Sequence, residues 1–145
     1  MVMRAIKKIY VHVTDSDDSL DIGFREVDEW HRQRGWLSDS GISCGYHYIV
    51  RRDGRIEVGR PEQEVGSHVK GHNSTSIGIV WVGRKHIGSE QLNQMLVLIK
   101  RTMERHGIPV ENVLGHYEVD SGKTCPNLGM DHIRAELLFT KVDQC

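Results

Sequence analysis

No stretch of this sequence is apolar for long enough to cross a bilayer, and none repeats, falls to low complexity or reads as an interdomain linker. Charge of one sign is equally scarce. Nineteen Lys and Arg stand against 20 Asp and Glu, a formal net charge of -1. A protein that gripped nucleic acid through a basic face would carry a surplus, so no nucleic-acid partner is expected. Cysteine is sparse and odd in number, with Cys44, Cys125 and Cys145, so no complete disulfide framework can form. Cys44 reads as a small buried residue beside a strand and Cys145 as a frayed free thiol. The N-terminal stretch lacks an apolar core for secretion, because Lys7 and Lys8 interrupt it and His12 follows. No signal peptide and no stable membrane association are expected, which places synthesis in a cytoplasm.

What is present suits one globular domain. The chain has 145 residues, 38% hydrophobic and 27% charged, enough for a core of its own. Lys8 to Thr14 is apolar and β-branched, and reads as a strand. Phe24, Val27, Trp30 and His31 recur at helical spacing before Gly35 ends the run. Gly45 to Arg51 and Arg55 to Gly59 flank Asp53-Gly54 and predict a hairpin. Strand alternation there sends Tyr46 and Tyr48 to one face and His47 to the other.

A long loop from Pro61 to Ser76, rich in Gly, His and Asn, feeds the buried strand Ile77 to Val82. Ser89 is expected to cap the clearest helix, whose inner face is Leu92, Met95, Leu96, Ile99 and Met103, with Gly107 as its stop. Asn112 to Gly115 reads as a short last strand. Asp131 is the expected cap of a final helix with Ile133 and Leu137 inside. The expected fold class is α/β, a single domain with a mixed central sheet flanked by helices.

The chemistry sits at the two ends of the chain. His12 lies in the first strand, and His116 and Cys125 bracket a late loop. Taken singly, each has an ordinary reading: a hydrogen-bonded strand histidine, a histidine at a strand end, a small buried hydrophobe. Taken together they offer zinc two imidazoles and a thiolate, with a fourth position open to water, the pattern of a catalytic rather than a structural site. Zinc-bound water has a pKa of about 7, which makes a nucleophile at neutral pH. Lys123, two residues before Cys125, is either a solvated surface lysine or a cation for an oxyanion. Tyr46 is either a core aromatic or a hydroxyl that positions the water. These features point to a metal-dependent hydrolase.

Four passages in order sharpen this reading. They are Ile9-Tyr10-Val11-His12, then Gly45-Tyr46-His47-Tyr48-Ile49-Val50-Arg51-Arg52-Asp53-Gly54, then Gly66-Ser67-His68-Val69-Lys70-Gly71-His72-Asn73 running into Ser76-Ile77-Gly78-Ile79, and finally Gly115-His116 through Lys123-Thr124-Cys125-Pro126. From about Ile9 to the last helix, the chain resembles the zinc-dependent N-acetylmuramoyl-L-alanine amidases of the phage-lysozyme type, a superfamily that includes peptidoglycan-recognition proteins.

The resemblance implies zinc on His12, His116 and Cys125, an active-site tyrosine at Tyr46 and the family's lysine at Lys123. It implies a substrate-lining loop at His68 and Asn73, although His68 reads equally as a loop-packing residue. Two departures stand out: one extra residue between His116 and Cys125, which Ser121-Gly122 is expected to absorb in a turn, and Asn127 where many relatives have glycine.

The expected function is hydrolysis of the bond between N-acetylmuramic acid and L-alanine in peptidoglycan. The protein would act as a phage or prophage endolysin: a monomer of one catalytic domain over residues 1–145, without a separate wall-binding domain. It would be held in the bacterial cytoplasm until released to the wall. The rivals are a non-catalytic peptidoglycan-recognition module, an inhibitor of a phage-type RNA polymerase and a structural zinc protein. Cys125, Tyr46 and Lys123 favour catalysis over the first.

Overall fold

The computed structural model describes residues 4–142, so Cys145 lies outside the described residues. Five strands form one mixed sheet in the order β3-β2-β4-β1-β5. They are β1 (Lys8–Val13), β2 (Tyr48–Val50), β3 (Ile56–Val58), β4 (Ser76–Trp81) and β5 (Val113–Gly115). β1 runs parallel to both neighbours, β4 and β5, and β2 is parallel to β4. The expected hairpin supplies the one antiparallel pair, β2 with β3, closed by a turn in which Gly54 takes a φ of 93°.

The two faces of the sheet are covered unequally. Ile9, Val11, Val13, Val50, Ile77, Ile79, Trp81 and Val113 point to one face. There they meet Met95, Leu96, Ile99 and Met103 of α2 (Ser89–His106) and Met130, Ile133 and Leu137 of α3 (Met130–Phe139). This is the main dry core, built by strand alternation against two amphipathic stripes. On the other face, α1 (Phe24–Gln33) packs Val27 over Cys44, Ile49, Val80 and Val82. Beside it the Pro61–Thr75 loop lays His68 and His72 against Tyr10 and Gly78, and the space between helix and loop is left for a site.

Several local expectations change in the structure. Trp30 is 40% exposed, and Asp28 is buried in its place on the inner side of α1. The reason is polar: Asp28 Oδ1 accepts the Ser43 and Cys44 N–H groups, each at 2.8 Å, which would otherwise be buried without partners. The N-caps of α2 and α3 are Gly88 and Gly129, not Ser89 and Asp131. At α2 the Gln91 side chain accepts the Gly88 N–H at 3.2 Å, doing from inside the helix what a cap side chain does from outside. Gly107 closes α2 as expected, with φ 68° and its N–H on the Met103 carbonyl.

The predicted alternation fails at Tyr46. The strand begins only at Tyr48, so Tyr46 packs with the α1 cluster while Tyr48 joins the α2/α3 core.

The Pro61–Thr75 loop is fastened by Glu62, whose carboxylate takes Tyr48, Arg105 and His106. Partial burial opposes its charge, but the hydrogen bonds from Tyr48, His106 and Arg105 outweigh burial and leave the carboxyl below its ordinary value. A carboxyl lowered on folding stabilises the fold above its unfolded value of 4.5, and that support fades as pH falls through the folded value. Urea unfolding at pH 7 and near pH 3 should show the wild type losing about 1 kcal/mol more than Glu62→Gln over that interval. Equal losses would deny the carboxylate this role.

Candidate metal centre

Parallel pairing brings the two histidines together. Val11 is aligned with Gly115, so the next step along both chains sets His12 beside His116, the first residue beyond β5. Their ring centroids are 5.0 Å apart. Cys125 returns to this pair because the Tyr117 N–H donates to its carbonyl at 2.9 Å. The Val13 N–H donates to its Sγ at 3.2 Å. Gly115 makes the return possible, since a Cβ there would stand 2.7 Å from Met130 Cγ and 2.9 Å from Pro126 Cδ. One ligand atom each from His12, His116 and Cys125 then lie within 4.8 Å of one another. His12 Nδ1 is 3.6 Å from Cys125 Sγ. Two imidazoles and a thiol so placed form a group able to hold a borderline-soft metal ion.

Electrostatics agree with that use. Burial, reinforced by His116 and His31, holds His12 well below the ordinary imidazole range. His116 is lowered by burial and then by Lys123, with Asp120 opposing. Both rings are neutral at pH 7, the form that ligates. Burial pushes the Cys125 thiol up to about 11, although the Val13 N–H and Lys123 pull the other way. A bound cation would reverse that preference and take the thiolate.

The three ligands floor a cleft of about 700 Å³. Tyr46 stands on its wall, with its ring centroid 5.1 Å from that of His12. Lys123 is exposed at the rim. The turn that holds it closes through Lys123 N–H on the Asp120 carbonyl at 3.0 Å, with Ser121 and Gly122 at its tip. Asn127 takes a φ of 59°, a left-handed conformation open to Gly and Asn, and its Nδ2 donates to the Arg84 carbonyl at 2.8 Å.

His68 and Asn73 both line the cleft, and each also makes hydrogen bonds within the protein. Asn73 Oδ1 accepts the His68 and Val69 N–H groups at 3.0 and 2.9 Å, folding its own loop. The nearly buried His68 ring lies 2.9 Å from His12, nitrogen to nitrogen.

His31, Arg34 and Trp36 also line the cleft, and the sequence reading did not place them there. Arg34 stacks over Trp36, 5.3 Å from the ring centroid. The Gly45 N–H donates to His31 Nδ1 at 2.7 Å, which leaves the ring proton on Nε2. Burial first, then Arg34 and Arg60, lower this histidine to about 4. The available signal was the cluster His31, Arg34 and Trp36 at the end of a helix whose Gly35 breaks it, since residues there point past the helix rather than into its packed stripe.

The family model for N-acetylmuramoyl-L-alanine amidase matches residues 2–128. The chain belongs to the N-acetylmuramoyl-L-alanine amidase family. It is 38% identical over 129 residues to the endolysin of Enterobacteria phage K11, which covers 85% of this chain and 82% of that one. To the endolysin of Escherichia phage T7 it is 47% identical over 75 residues, covering 52% of this chain and 46% of that one. Among solved structures, the amidase LysC from Clostridium intestinale superposes with a TM-score of 0.80 at 31% identity, over 95% of this chain and 88% of its own. Drosophila PGRP-LB, at 24% identity and a TM-score of 0.70, shares the fold over 92% of this chain and 80% of that one. Cys125→Ser should lower bound metal and peptidoglycan lysis together while far-UV circular dichroism stays unchanged, because it exchanges one atom at the margin of the main core. Full metal content in that variant would remove Cys125 from the ligand set.

Proposed function

We propose that this protein hydrolyses the amide between N-acetylmuramic acid and L-alanine in peptidoglycan, with zinc held by His12, His116 and Cys125. The observation that carries the reading is the convergence of those three side chains on the floor of a cleft whose wall and rim carry Tyr46 and Lys123. Membership of the amidase family and similarity to phage endolysins support the reaction and the setting. When bound, zinc supplies an acidic water and a Lewis acid for the scissile carbonyl.

The protein's own groups have distinct tasks. Burial, together with Cys125 and Cys44, pushes the Tyr46 hydroxyl well above the ordinary phenol range. It therefore keeps its proton at neutral pH and serves to position water by hydrogen bonding rather than to remove a proton. Lys123 is close enough to lower both His116 and Cys125, which supports giving its ammonium the negative charge that develops on the carbonyl oxygen. Arg34 and Lys70 add cations to the cleft that suit an anionic stem peptide.

As an endolysin the protein accumulates in the host cytoplasm and acts on the wall after release, as a monomer. No helix among the described residues is long and apolar enough to cross a membrane.

Digestion of purified peptidoglycan should release stem-peptide amino termini, read by mass analysis, with no new reducing sugars. New reducing ends would mean glycosidase chemistry, and binding of muropeptides without cleavage would mean a recognition module. Lys123→Ala should lower kcat by about 10²–10³-fold at unchanged zinc content. Tyr46→Phe should lower it by roughly 10²-fold through misplacement alone. Wild-type rates in both variants would leave these two residues without a catalytic part.

A further inference from the structure

A neutral imidazole has one proton and two nitrogens, so a histidine that ligates through one nitrogen must carry its proton on the other. At His12 the nitrogen on the ligand side is Nδ1, 3.6 Å from Cys125 Sγ. Nε2 points away, 2.9 Å from His68 Nδ1. One of these two nitrogens donates and the other accepts. The choice is made one residue further along. The Ser76 hydroxyl donates to the His72 carbonyl at 2.8 Å, so it has only a lone pair left for His68 Nε2 at 3.3 Å. His68 therefore holds its proton on Nε2, its Nδ1 is bare, and that bare nitrogen accepts the His12 Nε2–H. His12 is left with a bare Nδ1 aimed at the metal group.

The surroundings hold this chain of bonds in place. A Cβ at Gly78 would lie 2.7 Å from the His68 ring, and one at Gly66 would also lie 2.7 Å from it. The ring fits against β4 only because both positions lack side chains.

We propose that His68 and Ser76 are positioning residues that fix the tautomer of His12 and keep its Nδ1 free for the cation. The proposal rests on the reading of His12 as a metal ligand, but the tautomer itself can be read without metal. Outer partners of this kind govern ligand orientation and metal affinity in general, and their loss costs about 10–100-fold in affinity.

The test is long-range ¹H–¹⁵N correlation of the metal-free protein at neutral pH, with cobalt(II) and zinc titration of the same samples. Wild-type His12 should show its proton on Nε2 alone. In Ser76→Ala, a change of one oxygen, His12 and His68 should each become a mixture of tautomers, and metal affinity should fall. His68→Ala should cost about 10–100-fold in affinity. His68→Asn, which returns an oxygen acceptor near the position of Nδ1, should restore most of it. The double variant should bind no more weakly than His68→Ala, because the two residues act in series. A His12 proton on Nδ1 in the wild type overturns the proposal. So does metal affinity that Ser76→Ala and His68→Ala leave untouched. If the tautomers behave as described but neither metal binds, the relay stands and the zinc reading fails.

Discussion

The register of β1 against β5 is the constraint on which the site depends. Strand side chains alternate, so a slip of one residue would carry His12 to the face packed by α2 and α3 and bring an apolar neighbour to the ligand position. The protein guards against that slip by burying the central strand on both faces. Ile9, Val11 and Val13 are committed to the main core, and β4 and β5 hold β1 from either side. A metal group assembled from residues 113 positions apart is thereby fixed by ordinary hydrophobic patterning rather than by any local motif.

The same economy appears in how the cleft is made. Two helices seal one face of the sheet and a single short helix covers part of the other. The site occupies the uncovered end, near the carboxyl ends of parallel strands, where open α/β sheets generally hold ligands. Several backbone N–H groups drawn into this half-covered face are paired by side chains, although the buried Tyr10 and Ser43 hydroxyls find no partner among the described residues. Asp28 takes two backbone N–H groups, His31 takes Gly45, and His47 Nδ1 takes Gly78 at 3.0 Å. These bonds set the backbone around the cleft before any ligand arrives, as electrostatic preorganisation requires.

Much of this was legible in the residues. Helical spacing located α2 and its glycine stop, apolar β-branched runs located β1 and β4, and the pairing of residue types marked His12, His116 and Cys125. Three kinds of information were not legible. The rotation of Tyr46 away from Tyr48 depends on where the strand begins, and that is set by Gly45 and Gly59 fitting closely against the neighbouring backbone. The burial of Asp28 depends on a loop whose N–H groups need an acceptor, and no periodicity reports that need. His68 read equally as a groove residue, because loops commonly bind ligands, and as a loop-packing one. Its turn into the sheet was signalled only by Gly78, a residue without a side chain in the middle of an otherwise bulky strand.

That glycine has a wider implication. A strand interior normally favours β-branched residues, and leaving one position bare costs roughly 0.5–1 kcal/mol of intrinsic stability. Here the vacancy is a socket for an aromatic ring from a distant loop, so the pressure on position 78 comes from across the sheet. Two demands therefore meet in β4: its large side chains fill the core, and position 78 stays bare for a neighbour that needs the space.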